Sequence, residues 1–75
     1  MRAERPQKLD HLAMSIAKMS MGGYVDIKET KLAWYLSVEV LASSPKEFKS
    51  EVLKLGEEID PNIGIRFVDV CRVRV

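Results

Sequence analysis

One cysteine, Cys71, and one histidine, His11, stand in a chain of 75 residues. A single thiol excludes an internal disulfide, and a metal site would have to be assembled from His11 and carboxylates alone. Long apolar runs are missing too. Nothing approaches the ~20 residues of a membrane span, and the opening "MRAERPQKLD" lacks the apolar stretch of a secretion signal. The expectation is a cytoplasmic protein with a reduced thiol and no membrane partner. There is no bias of charge either. Twelve Lys and Arg against eleven Asp and Glu leave a net charge of +1, too even to point to nucleic acid by composition. Repeats and low-complexity segments are also lacking.

What is present is ordinary globular material, 47% hydrophobic and 31% charged. A chain of this length buries only about 60–65% of the surface it exposes when unfolded, which leaves room for one domain, residues 1–75. Its core alone supplies roughly 3–5 kcal/mol, and small domains add disulfides, metals or partners to that. With the first two excluded or weakly supported, oligomerisation is the most available reinforcement. The charges are unevenly placed. Residues 1–34 and 66–75 are basic on balance, while residues 35–65 are acidic.

In "PQKLDHLAMSIAKMSM", Leu9, Leu12, Ala13 and Ile16 recur at helical spacing, and Gly22–Gly23 ends the pattern. Pro6 suits the first turn of this helix, and Asp10 is the better side-chain cap. The segment "YVDIKETKLAWYLSVEVLA" alternates as a hairpin, with Val25 and Ile27 on one strand and Leu32, Trp34, Leu36, Val38 and Val40 on the next. Its turn falls near Glu29–Lys31. No Asn-Gly is there to fix the register. Ser44, Pro45 and Glu47 then form a capping box, and Phe48, Val52, Leu55 and Ile59 make one narrow stripe along a second helix. Gly56 either ends this helix or is tolerated inside it. The last segment, "IGIRFVDVCRVRV", is rich in β-branched residues and reads as a strand running to Val75.

The result is an α+β two-layer sandwich in the order α-β-β-α-β, with both helices on one face of a three-stranded sheet. In element order only, it resembles a ferredoxin-like βαββαβ domain without its first strand, and the α-β-β-α-α-β arrangement of bacterial-type KH domains. The KH glycine loop, G-x-x-G, is missing, so no family residue carries over.

Strand parity divides the sheet into two faces. Val25, Ile27, Trp34, Leu36, Val38, Val40, Ile65, Phe67 and Val73 belong under the helices, and Cys71 shares their parity. The other face should show Tyr24, Asp26, Lys28, Tyr35, Ser37, Glu39, Arg66, Val68, Val70, Arg72 and Arg74. Asp69 breaks the core series. A β-bulge near Phe67 and Val68, a wet strand end, or a buried functional carboxylate would each account for it.

No catalytic constellation emerges. His11 has no implied nucleophile within reach, Cys71 reads as a small buried hydrophobe, and Glu57, Glu58 and Asp60 fan outward as solvated charge. Met14, Met19 and Met21 widen the apolar surface of the first helix, as core filler or as a partner-binding groove. No cofactor is expected.

The leading expectation is a non-catalytic protein-interaction module that self-associates as a homodimer through the C-terminal strand or the open sheet face. The alternative is a nucleic-acid binder, RNA before DNA, with Lys28, Arg66, Arg72 and Arg74 on phosphates and Tyr35 stacking on bases. Glu39 and Asp26 favour the first reading, because carboxylates repel phosphate.

Overall fold

The computed structural model describes residues 6–73, so Arg74 and Val75, which the sequence reading placed in the last strand, lie outside the described residues. The elements run α1 (Gln7–Met19), β1 (Gly22–Glu29), β2 (Trp34–Ala42), α2 (Pro45–Ile59) and β3 (Gly64–Arg72), the expected order. β2 is central, pairing antiparallel with β1 and parallel with β3. A parallel neighbour needs a crossover connection, and α2 provides it between β2 and β3.

Both helices cover the same face. Leu9, Leu12 and Ile16 of α1 and Phe48 and Val52 of α2 close over Leu36, Val38, Val40 and Ala42 of β2 in one buried cluster. Val25, Ile27, Trp34, Ile65, Phe67 and Val70 pack around its edge. Because each fully buried aliphatic contributes about 1.5–3 kcal/mol, this face sets the strand parity. Among the described residues, no polar side chain is buried.

Several local expectations are corrected. α1 starts at Gln7 with Pro6 as its N-cap residue, so Asp10 lies in the first turn and does not cap. Ser44 and Pro45 do begin α2, but the Ser44 side chain makes no capping hydrogen bond. That helix start is held by backbone bonding, with the Phe48 N–H donating to the Ser44 carbonyl at 2.9 Å. Leu32 belongs to the hairpin turn and is 96% exposed. Thr30 builds that turn: its Oγ1 accepts from the N–H groups of Leu32 and Ala33 at 3.2 and 3.1 Å.

One glycine is fixed by close approach to backbone, and a second sits tight against a movable side chain. Gly23 has φ +104°, and a Cβ there would meet the Glu39 carbonyl oxygen at 2.3 Å. Gly56 is buried inside α2, where a Cβ would come within 2.7 Å of Ile65 Cδ1. Its bareness lets the helix lie close on β3. At the far end of α2, Asp60 Oδ1 accepts from the Asn62 N–H, and Lys8 pairs with Asp60 at 2.8 Å. Those contacts, the Lys8 bond first, hold the Asp60 carboxyl below its ordinary pKa.

The main departure lies in β3. Phe67 pairs with Val38, but the next residue of β2, Glu39, pairs with Asp69, so Val68 is an inserted residue. A bulge of this kind reverses the parity of everything after it. Val70 therefore partners Val40 and packs half-buried against the core, and Arg72 partners Ala42 on the helix side. Cys71 partners Leu41 and is exposed. The assignments of Val70 and Arg72 to the open face, and of Cys71 to the core, are overturned for this one reason. Asp69 itself is explained by the first of the three alternatives.

Candidate functional site

Both helices lie on one side of the sheet, and no described element covers the other. Residues paired across strands project on the same side, so the register gives its composition row by row. Along β2 the rows are Lys28–Tyr35–Gly64, Asp26–Ser37–Arg66, Tyr24–Glu39–Asp69 and Gly22–Leu41–Cys71. Tyr35, Ser37 and Glu39 are half-buried by their neighbours; the flanking side chains are exposed. Val68, at the bulge, is 53% exposed, Tyr24 57% and Leu41 42%.

Of the predicted site residues, Lys28, Tyr35, Glu39, Arg66 and Val68 come together on or beside this surface. Val70 and Arg72 do not, and Arg74 lies outside the described residues. Leu41 and Cys71 join the face unforeseen, and Asp69 joins it through the bulge that was one of its three readings. One signal was legible: an aspartate in the middle of an apolar series marks the point where the series changes side. Leu41 gave none, since it follows Val40 without a break.

The bulge changes the charge expected on this face, with Asp69 entering and Arg72 leaving. Lys28 and Arg66 are its cations, and Asp26, Glu39 and Asp69 its anions. Glu39 and Asp69 are register partners, two carboxylates on adjacent strands. Their field is felt locally. Hydrogen bonding to Glu39, and then its charge, raises the Tyr24 phenol above its ordinary pKa. The Cys71 thiol donates to Asp69 Oδ1 at 3.1 Å, and this bond, followed by desolvation and by the charges of Asp69 and Glu39, raises its pKa. A thiol held protonated is a poor nucleophile.

Elsewhere the chemistry is sparse. Comparison with known protein families, curated proteins and solved structures finds no match. Function is therefore read from this geometry alone. Among the described residues, no three His, Cys, Asp or Glu side chains converge as a metal site, and no helix is long and apolar enough to cross a membrane. His11 is exposed. An open depression of about 220 Å³ beside the start of α2 sets the carboxylates of Glu47 and Glu51 beside Ser43, Ser44 and Met19, with no imidazole or cation in its lining.

The methionines are not core filler. Met14 and Met21 are 60% and 61% exposed. Met14 and Met19, five residues apart, sit about 140° apart around α1, so they do not make one groove.

Proposed function

We propose that this chain is a small non-catalytic interaction module that self-associates, and that the open sheet face is the surface it uses. The observation that carries this reading is the composition of that face. Exposed Tyr24, Leu41 and Val68 lie among cations and carboxylates in near balance, with none of the described elements folded over them. A surface that alternates apolar and oppositely charged groups is suited to a partner that offers the same mixture, and a second copy offers it by definition.

The C-terminal strand edge fits less well. β3 is an edge strand, but its bulge at Val68 interrupts the ladder, a feature that blunts edges against pairing. The nucleic-acid reading also weakens. The bulge removes Arg72 from the face and brings in Asp69, leaving three carboxylates around two cations where phosphates would have to sit.

Sedimentation across a range reaching high micromolar concentration tests the reading. A monomer–dimer equilibrium is expected, and Val68→Asp should shift it to monomer while circular dichroism shows the fold intact. A monomer at every concentration would overturn it. With a mixed single-stranded RNA pool at low salt, no mobility shift is expected; a salt-sensitive shift lost in Arg66→Glu would favour the alternative.

A further inference from the structure

The rows of the open face are not only mixed but ordered, and their order restricts how two copies can pack. Its cations lie in the first two rows, Lys28–Tyr35–Gly64 and Asp26–Ser37–Arg66. The third, Tyr24–Glu39–Asp69, holds the paired carboxylates, and the fourth, Gly22–Leu41–Cys71, has no full charge. Among the described residues, Arg66 makes no ion pair within its own chain. One end of the face is thus basic and the adjoining band acidic.

Two aligned ways of stacking identical sheets face to face obey two-fold symmetry. If the axis runs parallel to the strands, each row of β2 meets itself. Glu39 then opposes Glu39 of the second copy in the middle of the interface, with Asp69 beside each. Like charges brought together in a contact of this kind cost several kcal/mol. If the axis runs across the strands, strand directions reverse and every strand lies over its own copy. The second row now meets the third. Arg66 faces Asp69 of the second copy, and Ser37 faces Glu39, whose carboxylate can accept from the hydroxyl. The first row meets the fourth, setting Tyr35 against Leu41 and pairing the remaining larger residues, Lys28 and Cys71, with Gly22 and Gly64. Val68, between Arg66 and Asp69 in β3, falls beside the axis and near its own copy.

Resting on the reading of the open face as a self-association surface, we propose that the partner is a second copy stacked with its strands reversed. Arg66 of each copy pairs with Asp69 of the other, twice per dimer, and the bulge at Val68 lies at the centre. The bulge is what makes this work: without it Asp69 would point into the helix layer and Arg66 would have no opposite charge on its own strand. Size sets the strength. Three strands about 4.8 Å apart and four rows about 7 Å apart give a face of roughly 400 Å² in projection. That is below the ~800 Å² per partner of a standard interface, so the association is weak and reversible.

Charge exchange tests the geometry separately from self-association itself. Arg66→Asp and Asp69→Arg should each weaken the homodimer about tenfold or more, since each sets like charges against each other twice. An equimolar mixture of the two variants should restore a dimer within a few-fold of the wild-type affinity, now with one copy of each kind, readable by sedimentation with one variant fluorescently labelled. Both substitutions are at exposed positions, and circular dichroism checks that each variant folds. A wild-type monomer would defeat the underlying reading and this one together. A wild-type dimer that neither variant weakens, or whose variants fail to recover on mixing, would leave self-association standing and overturn the arrangement.

Discussion

The two faces of the β1–β2–β3 sheet are built from alternate residues of the same strands, yet they answer to different rules. On the covered face, volume decides: Leu36 and Val38 are wholly buried beneath Leu12, Ile16 and Val52. On the open face, charge and register decide, and no side chain is driven there by burial. The covered face therefore fixes the fold and carries its stability. The open face inherits its geometry and is free to serve a partner.

Truncating the same kind of residue on each face should give the widest difference. Leu12→Ala is expected to cost about 2–5 kcal/mol, the range for a buried leucine that leaves a cavity. That is comparable with the whole stability expected of a domain this small, so the variant should be largely unfolded without denaturant. Leu41→Ala removes a leucine that is 42% exposed on the open face, and should change stability by about 0.5–1 kcal/mol. Urea titrations followed by circular dichroism, run at low protein concentration, measure both. Equal losses would mean that the open face is also a structural face.

A sharper version uses two valines two positions apart in β3. Simple alternation puts Val68 and Val70 on one face; the bulge puts them on different ones. Val70→Asp should destabilise by about 2 kcal/mol or more, because it sets an unpaired carboxylate against the core. Val68→Asp should stay within about 0.5 kcal/mol of the parent. Matched effects, or the reverse order, would remove the bulge and with it the row order on which the dimer geometry rests.

How much could be read from the amino acids follows the same division. The helix stripes Leu9–Leu12–Ile16 and Phe48–Val52, the alternation of β2 and the element order were all legible, because burial writes them as apolar periodicity. So were the Ser44–Pro45 helix start and the face assignments up to Phe67. From Asp69 onward simple alternation was off by one residue, although a bulge near Phe67 and Val68 was one of the three readings of Asp69. An inserted residue costs little locally and leaves no composition signal, and Asp69 was the single letter that conflicted with the pattern. Strand order was illegible for another reason. The parallel placement of β3 beside β2 depends on how α2 crosses, and residues on β3 look alike whether that strand is central or at an edge. The capping hydrogen bonds of Ser44 and Glu47 were over-read, since the motif marks a helix start without requiring that its side chains bond.

The smallest expected effect concerns the reactivity of Cys71, which reports on the acidic band directly. The thiol is exposed, so a maleimide or iodoacetamide reagent reaches it, but its raised pKa leaves a smaller thiolate fraction at any pH below that pKa. Asp69→Asn removes the largest cause, the hydrogen bond to a charged carboxylate, and its Coulomb effect with it, leaving desolvation and Glu39. The thiol pKa should fall and alkylation near pH 8 should quicken a few-fold, short of the ~tenfold that a full pKa unit would give. As pH rises past both pKa values the two rates should converge, because both thiols are then ionised. Under denaturant the difference should vanish at every pH, since only the extended strand holds the Asp69 carboxylate against the Cys71 thiol, two residues apart on the same side of β3. A rate unchanged by Asp69→Asn in the folded protein would mean that the Cys71 thiol is not held by the Asp69 carboxylate and would remove the acidic band's influence on it.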